Sequence, residues 1–223
     1  RTSTCRSLAT ISSGLGFFLG ILGILQRLKS LLQGGPLFRG QTSSPGLLLD
    51  LVEGPSLAER LSDGPPLSPG DWMELAARLL DALAAVHASG RLHLDLAPAN
   101  VLLPGGDPGR ALLCDFGLCL PVGAASRTRS PGLDHAGTPG FAAPEAADPG
   151  HPLDVRADLY GLGRTLLAAL PAGADSRLHR FAARLAAQDP ATRPHMPGAA
   201  AELARLAAAL GTAAPGVAAF TQH

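Results

Sequence analysis

Apolar residues fall into two kinds of pattern along this chain, and each predicts a different element. Trp72, Leu75, Leu79, Leu83 and Val86 recur at three- and four-residue spacing, the period of one helix face. Ser68-Pro69-Gly70-Asp71 just before them reads as a helix start: a hydroxyl cap, proline at the first helical position, an acid at the third. Gly90 is the expected stop. A short helical stretch, Leu57 to Leu61, precedes this helix. Ala/Leu-rich helices are expected afterwards over residues 154–170, stopped by Pro171, and over 176–187 and 197–210. The second pattern is the short unbroken apolar run. Leu47-Leu48-Leu49-Asp50-Leu51-Val52 reads as a buried strand, broken by Glu53-Gly54-Pro55-Ser56. Asn100 to Leu103 and Ala111 to Cys114 are two more runs, with Gly105-Gly106-Asp107-Pro108-Gly109 turning between them, so they predict an antiparallel hairpin.

Residues 1–45 follow neither pattern and contain no acidic residue. Gly14 to Leu25 is an uncharged, mostly apolar stretch, short of the roughly 20 residues that span a bilayer. It fits a signal-peptide core, a buried helix, an interfacial helix or mistranslated intron sequence at a fragment's edge, and the motifs further along argue against secretion. Residues 118–140 form a polar loop rich in Gly, Pro and Ser, and residues 211–223 a frayed tail. The expected organisation is therefore an atypical segment over 1–45, a folded domain over 46–210 and a flexible tail. A first residue of Arg1 rather than Met suggests a fragment, a processed product or an imperfectly read gene.

Composition narrows the class. At 223 residues the chain holds one ordinary domain or two small ones, and 4% aromatics imply an aliphatic, helical core. Lys+Arg and Asp+Glu both number 18, so bulk charge points to neither a nucleic acid nor an anionic membrane as partner. Cys5, Cys114 and Cys119 lack metal-ligand spacing, and an odd, sparse set suits a reducing, cytoplasmic setting. Lys29 is the sole lysine.

Two stretches carry chemistry. His93-Leu94-Asp95-Leu96-Ala97-Pro98-Ala99-Asn100 has the form H-x-D-L-x-x-x-N, and Asp115-Phe116-Gly117 follows it. Together they resemble the catalytic loop and metal-binding motif of the eukaryotic protein kinase family. Other landmarks follow in order, so the resemblance to a kinase C-lobe runs from about Leu47 to Leu210. Gly137 to Glu145 looks like the G-T-P-x-x-x-A-P-E end of an activation segment. Asp158 matches the family's buried helix aspartate, and Arg193 its late arginine, the expected ion-pair partner of Glu145. The segment around Leu49 to Leu57, with Ala111 to Gly117, resembles the mitogen-activated protein kinase kinase kinase group, NF-kappaB-inducing kinase included.

The resemblance implies serine/threonine kinase activity with ATP and Mg2+ as cofactors and a protein as substrate. Asp95 would orient the substrate hydroxyl and accept its proton. Asn100 and Asp115 would hold magnesium. Leu49, Asp50, Leu51 and Val52 would form the adenine-binding hinge, with Leu103 and Cys114 also against the nucleotide. His93 would be structural, packed under Phe116, with Gly117 completing the motif. Thr138 favours serine/threonine over tyrosine as acceptor, and Ser126, Thr128, Ser130 and Thr138 are candidate phosphorylation sites.

The pattern also breaks. Leu94 stands where the family has an arginine for a phosphorylated activation loop, and Ala97 where it has a phosphate-contacting lysine. No lysine–glutamate pair of the N-lobe type is present, since Glu53 is the first glutamate. The interval from Asp158 to Arg193 is short, as though a helix were missing. The fold expected is mainly α with a small β-hairpin, a protein-kinase-like C-lobe with the N-lobe largely missing. Little or no activity is expected of this polypeptide as it stands. The alternative function is a pseudokinase scaffold that binds a kinase or an adaptor.

Overall fold

The computed structural model describes residues 52–125, 137–148 and 150–211. They are mostly helical. Helix α1 (Leu57–Asp63) begins at Ser56, whose hydroxyl accepts from Glu59 N–H while the Glu59 carboxylate accepts from Ser56 N–H. Helix α2 (Pro69–Ala88) starts with the same reciprocal pair, Ser68 with Asp71. Each such box satisfies two donors that the first helical turn leaves without partners. Helices α3 (Val155–Ala168) and α4 (Ser176–Leu185) are capped by the carboxylates of Asp154 and Asp175. Helix α5 (Met196–Leu210) ends at Gly211, whose φ of +65° is the left-handed cap that glycine adopts at least cost.

The predicted hairpin is present. Strands β2 (Val101–Leu102) and β3 (Leu112–Leu113) pair antiparallel, with Val101 opposite Leu113 and Leu102 opposite Leu112. The polar-loop reading of 118–140 needs a correction. Within it, β4 (Leu120–Pro121) pairs antiparallel with β1 (Arg91–Leu92). Two residues per strand are too few to show an alternating pattern, which is why periodicity missed this pair. The helices also end slightly inside their predicted limits: α2 at Ala88, α3 at Ala168 and α4 at Leu185. One helix, α4, lies between α3 and α5. The strand expected from Leu47 lies outside the described residues up to Leu51, and Val52 is not in a strand. The expectations for residues 1–45 and for the tail after Gly211 also lie outside them.

The core sits where α2 meets α3, α4 and α5. Trp72, Leu75, Leu79, Leu83 and Val86, the predicted face of α2, are fully buried. Burial of each such side chain contributes about 1.5–3 kcal/mol. Trp72 joins three helices: its ring meets Phe181 of α4 edge-on at 6.3 Å, and its Nε1–H donates to Leu166 O of α3 at 2.9 Å. Helices α3 and α4 approach through Gly163, where a Cβ would lie 2.5 Å from Ala186 N and 2.7 Å from Ala182 O. Among the described residues, no helix is long and apolar enough to cross a membrane.

Candidate active site

A buried carboxylate sets the shape of the loop between β1 and β2. Asp158, in the first turn of α3, is 1% exposed. Its Oδ2 accepts from His93 N–H at 2.8 Å and its Oδ1 from Leu94 N–H at 2.7 Å. His87 Nε2, from the end of α2, lies 2.8 Å from Oδ2. A buried carboxylate is tolerated only with such partners. These bonds also hold Leu94 at φ +65°, a left-handed conformation that costs a non-glycine residue about 1–2 kcal/mol. The resulting reversal presents Asp95 immediately afterwards.

Asp95 is half-buried and gripped from two sides. Thr138 donates to its Oδ1 twice, from N–H at 2.7 Å and from Oγ1 at 2.8 Å. Asn100 Nδ2 donates to its Oδ2 at 2.7 Å and to its backbone O at 2.8 Å. Thr138, which the sequence marks for acceptor type and as a candidate phosphorylation site, has its hydroxyl committed to Asp95 by this clasp, a contact that no local sequence pattern announces. Both donors fix the carboxylate at one orientation while leaving further lone pairs free to accept.

Asn100 also joins the loop to the second motif. Cys114 N–H donates to Asn100 O at 3.0 Å, next to the β2–β3 pair, so Asn100 and Asp115 meet at the open end of the hairpin. The Asn100 amide spends its Nδ2 on Asp95, and its Oδ1 accepts no hydrogen bond among the described residues, which leaves it able to ligate a cation. Asp115 is exposed at φ +58°, and one carboxylate oxygen accepts from Gly117 N–H at 3.1 Å. An amide oxygen and one open carboxylate suit Mg2+, which keeps several waters and shares few protein oxygens with phosphate. The residues present therefore fit that ion. Among the described residues, no group of three or more His, Cys, Asp or Glu forms a metal cluster.

His93 is fully buried, and its ring meets Phe116 edge-on at 4.9 Å. Its Nε2–H donates to Cys114 O at 3.2 Å, and Nδ1 accepts from Asp95 N–H at 3.3 Å. Both nitrogens are thus used by a neutral ring. Burial holds its pKa below the usual histidine range, against the opposing pull of Asp158, the Cys114 carbonyl, Asp95 and Asp115. Cys114 is buried, and burial pushes the Cys119 thiol up to about 12, so Cys119 is not a reactive thiolate.

Where the motifs depart from the pattern, apolar packing takes over. Leu94 packs against the small cluster of Ala143, Ala157 and Tyr160. Ala97 is fully buried. Beyond that cluster, Arg193 pairs with Glu145 through both nitrogens, Nη1 to Oε1 at 2.5 Å and Nη2 to Oε2 at 2.9 Å. Of the expected hinge, Leu49, Asp50 and Leu51 lie outside the described residues. The chain just after it is laid on β2: Leu103 N–H donates to Pro55 O and Gly105 N–H to Glu53 O. A Cβ on Gly54 would lie 2.0 Å from Leu103 O, so only glycine permits this approach. Ser126, Thr128 and Ser130 lie outside the described residues.

The fold thus brings a carboxylate clasped by Asn100 and Thr138 together with an exposed Asp-Phe-Gly turn. The protein kinase domain family matches residues 37–195, and the chain belongs to that family. Among curated proteins it is 42% identical over 119 residues to serine/threonine-protein kinase PkaA of Streptomyces coelicolor, covering 52% of this chain and 21% of that protein. It is 40% identical over 127 residues to PkaB of the same organism, covering 54% and 30%. Serine/threonine-protein kinase PknL of Mycobacterium tuberculosis is 36% identical over 119 residues, covering 53% and 29%. The chain thus spans less than a third of the length of these relatives.

Proposed function

We propose that this chain carries the catalytic loop of a serine/threonine protein kinase, which transfers the γ-phosphate of ATP to a protein hydroxyl. The observation that carries this reading is the clasp on Asp95 by Thr138 and Asn100. Asp95 orients the substrate hydroxyl and accepts its proton. Asn100 and Asp115 would hold Mg2+, and Leu103 and Cys114, with the hinge segment Leu49–Val52 that the family resemblance implies, would serve the nucleotide. Bound Mg2+ supplies charge neutralisation for the phosphates. The names of the relatives support serine/threonine specificity. Their bacterial origin favours that group over the mitogen-activated kinase kinase kinase likeness, which rests on two short segments. A cytoplasmic setting accords with the sparse cysteines. The domain boundary near residue 46 and the lack of a recognisable N-lobe over residues 1–45 belong to the same reading, because the sole lysine, Lys29, follows Arg27-Leu28 and not the Ala-x of the family's strand motif.

A second reading has a specific observation behind it. Leu94 and Ala97 are apolar and packed, so two of the family's cationic positions beside the site carry no charge. That favours a scaffold that binds a kinase or an adaptor. Labelled-phosphate transfer from Mg-ATP to a generic protein substrate separates the two, with Asp95→Asn and Asp115→Asn run beside the parent. Slow transfer that disappears in both variants is the expected result. Equal labelling in all three would overturn the kinase reading. No transfer, together with no Mg2+-dependent ATP binding, would favour the scaffold.

A further inference from the structure

The two segments that grip Asp95 carry little charge of their own. From His93 to Leu103 the ionisable side chains are His93, buried and hydrogen-bonded, and Asp95 itself. From Gly137 to Ala143 there are none. One cation is nevertheless attached to this second segment. Arg164, exposed on α3, donates Nε–H to Gly140 O at 2.9 Å. That bond uses one of five guanidinium donors and fixes the plane of the group. Its Nη1 and Nη2 make no ion pair among the described residues. Two carboxylates on the same two elements are already engaged, Glu145 with Arg193 and Asp158 with His87 and the loop backbone. Ala168, one turn further along α3 and also exposed, adds no charge.

We propose that Arg164 is a specificity residue that binds a carboxylate side chain of the protein substrate, two to four residues from the acceptor hydroxyl. This rests on the kinase reading above. Gly140 is two residues from Thr138, which touches Asp95, so the guanidinium lies within roughly 13 Å of the Asp95 carboxylate. An extended peptide covers that distance in about four residues. The free edge of the guanidinium offers parallel N–H donors, the geometry that suits a carboxylate. An acidic residue there would meet a cation that has no ion-pair partner among the described residues, whereas a basic residue would meet repulsion.

The test uses the whole chain and fluorescently labelled serine peptides carrying Glu, Ala or Arg at those distances on either side of the serine. Affinity is read by fluorescence anisotropy at low and high salt. The Glu peptide is expected to bind about fivefold more tightly than the Ala peptide at low salt, a difference that salt screens. Arg164→Ala should remove the preference, and Arg164→Glu should reverse it towards the Arg peptide. A reversal requires a folded protein, so it cannot arise from misfolding. Equal binding of the three peptides, a preference unchanged in both variants, or no binding of any peptide overturns the proposal. The phosphate-transfer assay reports separately on the kinase reading. Acid-selective binding with neither transfer nor Mg2+-dependent ATP binding would sink that reading and leave Arg164 as a docking residue, and transfer without acid selectivity would do the reverse.

Discussion

His93 shows how burial and hydrogen bonding assign a role to one side chain. The ring is fully buried, with Nε2 donating to Cys114 O and Nδ1 accepting from Asp95 N–H. A second proton would break the Nδ1 bond and charge a group without water around it, so its pKa is lowered from 6.5. The folded state therefore binds fewer protons than the unfolded state once pH falls below about 6.5. Stability contributed by neutral His93 is present above that pH and is lost on acidification, by up to about 1.4 kcal/mol per pH unit, until the folded pKa is reached. Urea unfolding midpoints at pH 7.5, 6.5 and 5.5 should fall in the parent chain. In His93→Phe the decline should be shallower, whatever the stability of that variant at pH 7.5. Equal slopes in both would show that the ring is protonated in the fold.

At the scale of elements, glycine positions make a matched pair of tests. Gly163 lies at the contact of α3 and α4, where an added Cβ would sit 2.5 Å from the backbone N of Ala186. Backbone cannot step aside as a side chain can, so Gly163→Ala must move one helix, at a cost of about 1–3 kcal/mol. Gly198, in the first turn of α5, has nothing nearer than 3.9 Å. Gly198→Ala should stabilise by about 0.5 kcal/mol through the unfolded chain. Thermal melts of the two variants should therefore shift in opposite directions. The elements themselves were legible to unequal degrees. The face of α2 and its Ser68–Asp71 start could be read from the sequence because a long periodic segment with a capping box carries a redundant signal. The hairpin was legible because a glycine-rich turn divides two apolar runs. The β1–β4 pair was not, since Arg91–Leu92 and Leu120–Pro121 are brought together by chain geometry and not by any local pattern. The site divides in the same way. Asp95, Asn100 and Asp115 stand at telling intervals in sequence. The Thr138 clasp and the Arg164 contact join residues 43 and 24 positions apart and emerge only on folding. A trace of Arg164 was there to be seen: it is the one charged residue between Leu159 and Leu170.

At the scale of the whole molecule, Arg193 ties together parts that local packing leaves separate. Its guanidinium pairs with Glu145 at the end of the activation segment and donates to Arg156 O at the start of α3. It also donates to Ala187 O and Gln188 O beyond α4 and lies 4.9 Å from the Tyr160 ring centre. The arginine side chain is 0% exposed and that of Glu145 10%, so water would do little to replace a lost partner. Two consequences follow from the desolvation of such a pair. Glu145→Ala should cost about 3–5 kcal/mol, because it strands a buried charge. Against a total stability of about 5–15 kcal/mol, that loss is large enough to unfold a sizeable share of the protein at physiological temperature. Arg193→Met added to Glu145→Ala should recover part of the loss, since an apolar side chain then fills the site without an unpaired charge. Urea unfolding of the parent, the single variant and the double variant measures both effects. A single-variant loss below about 1 kcal/mol would place the pair among exposed surface bridges. A double variant less stable than the single one would mean that the backbone carbonyls and the Tyr160 face, more than the charge of Glu145, are what Arg193 holds together.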